Sequence, residues 1–293
     1  MTTKTALELL IKTALLSFHL VMFNSLAAKL TGLTGAAQGH GAAGTLVMTV
    51  VGAVLSTVVL SYTVIRSRWS GWRLMVTVFI VFYGITTFLS QIESVVFLKH
   101  LVNIIPAEMI PKLFAQGAIV AALFAPMLVL FWRKKKGPET HEPNRRLIMP
   151  LKEWAWKLLL VAVIYIAVYT SFGAFVFLPL AGEAFREYYA GLEMPWWIIP
   201  FQGLRGLIWA ALALPVIRMM KGGWWEAGLA VSLLFSVLMG SLLLVPTEIM
   251  PDKIRLAHLV EVSSSNFLFG WVVVWLFHRR HTRSAAAPLK AAL

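Results

Sequence analysis

The last strongly apolar segment of the chain carries a row of side chains that could bind a solute or transfer a proton. Residues at intervals of three or four share one face of a helix, and charged groups within a membrane helix usually face a protein interior or water. The row is therefore predicted to point into a helical bundle, where His258 or Glu261 could gain and lose a proton. It consists of Arg255, His258, Glu261, Ser265 and the adjoining Asn266.

Two other apolar segments offer charged partners at a similar predicted depth, namely Glu93 and Arg205. A buried arginine needs an anion nearby, and Glu93 and Glu261 are the candidates. The glycines on either side of Arg205 permit close approach of a neighbouring helix. Two interpretations remain open: a polar pocket open to the outside, in which Arg205 holds an anionic group, or a self-satisfied ion-pair network that fixes helix register.

Other chemistries find little support in the residue types. The chain has no cysteine, so thiolate metal sites and disulfides are excluded. It contains no HExxH zinc motif, no GxSxG nucleophile turn and no glycine-rich phosphate loop. Histidines suited to a paired haem site and a deep late lysine suited to retinal are also missing. The sequence predicts no metal and no cofactor, and it leaves any catalytic residues unknown.

The elements that position these residues are long apolar segments. Hydrophobic residues make up 59% of the 293 residues and charged residues 13%, about half of the charge of a soluble domain. Segments of about 20 apolar residues cross a bilayer as helices. We predict an all-α, polytopic integral membrane protein with about eight spans, at 9–30, 44–65, 74–97, 113–132, 157–181, 196–218, 225–246 and 257–277.

The first span has an alternative interpretation as a cleaved signal peptide, because Lys4 and Lys12 form a basic flank and small residues follow. Glu8, His19 and Asn24 interrupt the apolar run, and removal of this span would leave an odd number. We therefore treat it as a retained membrane helix.

The basic residues predict the orientation. Most of the 26 Lys and Arg residues fall in connections on one side of the predicted spans, and such an excess marks the cytoplasmic side. Both termini are therefore predicted to be cytoplasmic, in a multi-pass protein of the cell inner membrane. The net charge of +13 is interpreted as attraction to anionic lipid headgroups rather than to nucleic acid.

A short motif indicates an internal duplication. The pattern Pro-x-Glu-x-x-Pro occurs before the fourth and the eighth span, as Pro106, Glu108 and Pro111 and as Pro246, Glu248 and Pro251. Two parallel four-helix halves are a known transporter architecture, although two proline-bounded loops could also have arisen separately. The predicted divisions are an N-terminal half (1–136), a basic cytoplasmic linker (137–156), a C-terminal half (157–278) and a cytoplasmic tail (279–293).

Three functions are compatible with these features. The first is a transporter or permease with an outward-facing site for a small polar or anionic solute, with proton coupling through the ionisable groups. The second is a membrane scaffold, sensor or partner subunit whose polar row binds another membrane protein. The third is an intramembrane enzyme that acts on a lipid-linked substrate at the outer leaflet, with His258 or Glu261 as general base.

Overall fold

The computed structural model describes residues 3–33, 42–96, 106–132, 147–192, 194–247 and 250–278. Within these residues the protein consists of helices and connecting turns, without a β-strand. Eight of the helices are long and apolar enough to cross a membrane. The predicted all-α, multi-pass membrane class is therefore confirmed, as is the number of spans within the described residues.

The helices agree with the predicted spans to within a few residues at most ends. The described part of the chain forms eight membrane-length helices and one short helix, α6, in this order: α1 Thr3–Thr31, α2 Ala42–Ile65, α3 Gly71–Val96, α4 Met109–Phe131, α5 Leu151–Ala181, α6 Glu183–Tyr188, α7 Ile198–Met219, α8 Trp224–Leu242 and α9 Asp252–His278.

Helix α5 begins earlier than predicted, at Leu151 directly after Pro150. The sequence predicts a linker up to residue 156, where the longest hydrophilic stretch of the chain ends. In the structure Glu153 lies 2.7 Å from Lys157 in an ion pair one helical turn apart. Because the two charges neutralise each other within the helix, the polar residues continue α5 instead of ending it.

The two groups of four long helices have the same packing pattern. In the first, α1 packs against α2 and α4, and α3 packs against α4. In the second, α5 packs against α7 and α9, and α8 packs against α9. Between the groups, α2 contacts α8 and α3 contacts α7. The second helix of each group therefore meets the third helix of the other.

Two tight turns join the groups at one end of the bundle. The turn after α2 (66–70) and the turn after α7 (220–223) form an antiparallel backbone bridge at Ser67 and Met220. The Arg68 amide donates to the Met219 carbonyl (2.7 Å), and the Lys221 amide donates to the Arg66 carbonyl (3.0 Å). We call this contact the turn bridge. It lies at the end that the sequence predicts to be cytoplasmic.

Two helices contain a π-helical turn, each beginning at a glycine. These turns are Gly84–Phe88 in α3 and Gly173–Phe177 in α5. An extra residue in a turn rotates the side chains that follow it round the helix axis, and such turns often occur near functional sites. The first precedes Glu93, and the second ends at Phe177. Both residues belong to the site described below.

Candidate functional site

Arg205 lies in the bundle interior and is held by two side chains. It is 4% exposed, and its Nη1 donates to Glu93 Oε1 (2.8 Å) and to Gln202 Oε1 (3.0 Å). Gln202 is fully buried one helical turn earlier on α7. Of the two predicted counter-charges, the structure places Glu93 on the guanidinium, whereas Glu261 has another partner.

Two polar atoms of this group have no hydrogen-bond partner among the described residues: Arg205 Nε and Gln202 Nε2. Both are N–H donors, and a buried donor without an acceptor costs free energy. The Glu93 side chain is 35% exposed. The group therefore has spare donors on the buried side and a carboxylate that reaches the surface of the protein.

The approach of α7 to α5 depends on Gly206. A Cβ at Gly206 would lie 2.5 Å from the Cβ of Tyr165, whereas a Cβ at Gly203 would meet Ile166 at an ordinary 3.5 Å. The predicted role of the flanking glycines is thus confirmed for Gly206, which packs against Tyr165 of α5 and directly follows Arg205 in the chain.

Gly206→Ala is expected to destabilise the protein by about 1–3 kcal/mol, because the added methyl group forces the two helices apart. Gly203→Ala makes the same chemical change on the same helix without the clash, and it should be neutral or slightly stabilising. Thermal unfolding of the two purified variants in detergent measures the difference. Equal stability of the two variants would contradict the close contact.

A second group centres on His258. Its Nδ1 lies 3.0 Å from Glu261 Oε2, and its Nε2 lies 3.0 Å from the Tyr189 hydroxyl. Phe177 stacks on the imidazole, with 4.0 Å between ring centroids and 14° between planes. A neutral imidazole satisfies both contacts, because Nδ1–H donates to the carboxylate and Nε2 accepts from the phenol. Burial raises the pKa of the Tyr189 phenol, so it keeps the proton that it donates.

Two tyrosines of α5, Tyr165 and Tyr169, lie near both groups, within electrostatic range of Arg205, Glu93 and Glu261. The Tyr165 hydroxyl also accepts from the indole nitrogen of the fully buried Trp209 (3.2 Å). The structure therefore brings four of the predicted residues into one polar cluster between α3, α5, α7 and α9: Glu93, Arg205, His258 and Glu261. We call this the arginine cluster.

The other predicted residues on α9 lie inside the bundle but make different contacts. Arg255 donates to the Leu243 and Leu244 carbonyls at 2.6 and 3.0 Å, and it pairs with Asp252 at 2.7 Å. A guanidinium at the carboxyl end of α8 complements the negative end of the helix dipole. Ser265 and Asn266 are buried, and the Ser265 hydroxyl donates to a carbonyl of its own helix at 3.3 Å. The α9 row therefore faces inward as predicted.

The proline motif has a different geometry at its two occurrences. Pro106 and Glu108 form the turn that opens α4, with Pro111 in the first helical turn. Pro251 directly precedes α9, whereas Pro246 lies before an isolated bridge between Thr247 and Met250. Glu248 lies outside the described residues, as do half of the predicted basic linker (137–146) and all of the predicted tail.

The chain was also compared with known proteins. No protein family, curated protein or solved structure matches it. Function must therefore be argued from the residues themselves. Among the described residues, no group of three or more His, Asp or Glu side chains is placed to hold a metal ion.

Several residues of importance were missed from the sequence. Gln202 and Tyr189 complete the arginine cluster. A signal existed for Gln202, which precedes Arg205 by three residues on the same face, but none existed for Tyr189 in a loop far from His258. Glu153 and Lys157 form a buried pair (4% and 0% exposed), and their four-residue spacing could have revealed it.

Proposed function

We propose that this protein is a multi-pass inner-membrane transporter for a small anionic solute, with both termini cytoplasmic and with the arginine cluster as its solute site. The observation that carries the proposal is the state of Arg205. This guanidinium is buried, retains an unpartnered N–H, and is covered by a carboxylate that is 35% exposed. Ionisable groups inside membrane proteins commonly mark a solute or proton pathway.

The arrangement supports coupling of the solute to a proton. While Glu93 is ionised, it occupies the face of Arg205 that a solute anion would need. Protonation of Glu93 removes its charge, so the guanidinium can exchange this carboxyl for the carboxylate or phosphate of a solute. Release of the anion then favours loss of the proton. His258 is held between Tyr189 and Glu261, and it offers a second proton acceptor between the outer loop and Arg205.

A parallel duplication also supports the proposal, since transporters are often built from two such halves. The turn bridge joins two turns that share five residues at the same spacing. These residues are Val64, Ile65, Arg66, Gly71 and Trp72 in the first turn region, and Val216, Ile217, Arg218, Gly223 and Trp224 in the second. An antiparallel bridge between equivalent turns is the contact that a two-fold axis generates, because each turn then makes the same contact with the other.

The exchange of partners can be tested in proteoliposomes that contain a pH-sensitive dye. A panel of small carboxylates and phosphates is added outside, and internal acidification is followed. Wild-type protein is expected to acidify the lumen with at least one anion, and Arg205→Gln is expected to abolish the signal. Arg218→Gln, an exposed arginine at the other end of α7, serves as the matched control and should retain it.

Other results would favour the other functions. If the lumen does not acidify with any anion and a covalently changed product forms in lipid extract, the enzyme function is favoured over the transporter function. If the lumen does not acidify and a membrane protein copurifies stoichiometrically under native conditions, the partner-subunit function is favoured instead. An acidification signal that persists in folded Arg205→Gln would remove the arginine cluster from the transport route.

A further inference from the structure

A cavity of ≈ 290 Å³ lies between α1, α2, α3, α4 and the end of α8, and no residue of the arginine cluster lines it. Its wall contains side-chain amides from three different helices: Asn24, Gln91 and Gln116. Hydroxyl groups surround them, including those of Thr49, Ser56, Thr86, Thr87 and Ser241. The cavity is large enough for one small organic solute.

The burial of the wall residues indicates where the cavity opens. Residues near the outer ends of their helices, such as Thr49, Gln91 and Gln116, are partly exposed. Residues deeper in the bundle are buried: Ala53 is 7% exposed and Ser56 is 4% exposed. The cavity therefore has its mouth towards the predicted outer side and its floor near the level of Ser56.

The polar atoms of the wall are suited to an uncharged ligand. None of the described residues around the cavity is charged, so a charged ligand would be buried without a counter-charge at a large cost. The Gln91 Oε1 atom is buried and has no hydrogen-bond partner among the described residues. Amides and hydroxyls both donate and accept hydrogen bonds, which is also true of the hydroxyl groups of a polyol or sugar.

The proposed duplication explains why this wall lacks charge. When the two shared turn segments are aligned, Ala53 on α2 corresponds to Arg205 on α7. Val245 lies at the same distance along the chain from Trp224 as Glu93 does from Trp72, so these two residues also correspond. Both Ala53 and Val245 line the cavity. The first half thus has a small residue and an apolar residue where the second half has its ion pair, and the space that remains is the cavity.

From this geometry we propose that the first half contains a second binding site, which takes an uncharged, polyhydroxylated solute of the size of a polyol or monosaccharide. Asn24, Gln91 and Gln116 contact the ligand near the mouth, and the buried Gln91 Oε1 accepts a hydrogen bond from it. The site does not depend on the proposed transport function, because it shares none of its ligand-binding residues with the arginine cluster.

The absence of native cysteine allows a direct test with single thiols in the purified full-length protein. Ser56→Cys places a thiol at the cavity floor, and Ser17→Cys places one at an equally buried position (4% exposed) outside the cavity wall. The small neutral reagent methyl methanethiosulfonate should label the first roughly tenfold or more faster, because thiol reactivity follows access. Xylitol and glucose should slow this labelling saturably, whereas glucuronate should not.

A double variant links the protection to the wall residues. Gln91→Leu with Gln116→Leu removes two amides at nearly constant volume and should abolish protection by glucose while labelling continues. Thr86→Cys provides a second reporter on the wall if Ser56→Cys does not fold. Equal labelling of the cavity thiol and the Ser17→Cys control would overturn the proposal. Equal protection by glucose and glucuronate, or no protection by either neutral solute, would also overturn it.

The test is separate from that of the transport proposal. Labelling and protection are measured on detergent-solubilised protein and require no flux. Loss of protection with intact anion-driven acidification would remove the second site alone. Saturable protection of the thiol, without acidification in proteoliposomes, would support the second site and contradict the transport function.

Discussion

Glu93→Leu is expected to destabilise the folded bundle by about 3–5 kcal/mol, because it leaves a buried guanidinium without its counter-charge. Arg205 is only 4% exposed, so water cannot readily replace the lost carboxylate. Gln202 would remain as a neutral acceptor at 3.0 Å. Chemical denaturation in detergent, followed by circular dichroism, measures the change in unfolding free energy.

Removal of the arginine itself should cost less. Arg205→Met leaves Glu93, whose side chain is 35% exposed and can be hydrated or protonated. The double variant Glu93→Leu/Arg205→Met should return close to wild-type stability, since an apolar pair can replace a buried ion pair with little loss. A double-mutant cycle therefore isolates the coupling between the two side chains. Additive effects would show that the ion pair contributes nothing beyond its separate members.

The second large effect is expected at the buried pair on α5. Glu153→Leu should cost about 3–5 kcal/mol, because Lys157 is fully buried and loses the carboxylate 2.7 Å away. A buried ammonium group is costly when it loses its counter-charge, and this lysine is fully buried. The same denaturation experiment measures the loss.

Helix α1 provides the matched control. Glu8 and Lys12 have the same four-residue spacing and a separation of 2.6 Å, but their side chains are 60% and 21% exposed. Glu8→Leu should change stability by less than about 1 kcal/mol, since exposed ion pairs contribute little. Similar losses in Glu8→Leu and Glu153→Leu would mean that burial does not set the strength of the α5 pair.

Hydrophobicity made the helices predictable, because about 20 apolar residues in a row admit few other structures in a bilayer. The start of α5 was predicted wrongly, because two opposite charges near it form a pair. Residues up to 156, including Glu153, are predicted as a linker, whereas the pairing of Glu153 with Lys157 allows α5 to begin earlier. Segment length and charge content therefore predict a span, but its ends depend on whether each charge finds a partner.

The arginine cluster was predictable only in part. Depth and polarity singled out Arg205, Glu93, His258 and Glu261, and the structure brings these four residues together. Their pairing was not predictable, because it depends on rotation about each helix axis. The π-helical turns in α3 and α5 change that rotation by an amount that residue types do not reveal. Glu93 follows the first of these turns, and Phe177 is the last residue of the second.

Of the polar residues around the proposed second site, the sequence drew attention only to Asn24, as a polar interruption of the first span. A search of the sequence for ionisable groups inside spans passes over neutral amides and hydroxyls, which are common in membrane helices as helix-bonded structure. Thr86, for example, donates to the Phe82 carbonyl at 2.8 Å, as Thr170 does to Ile166 on the exposed face of α5. Only the three-dimensional packing distinguishes the first hydroxyl, beside a cavity, from the second.

The opening of the turn bridge can be measured by hydrogen exchange of its backbone amides. The Arg68 and Lys221 amides are protected only while the two turns stay paired, so their hydrogen–deuterium exchange reports each separation of the turns. A local opening exchanges these amides long before the helix cores, and a concerted separation exchanges both at one rate. Exchange at these two amides therefore reports how readily the two groups of helices separate at this end of the bundle.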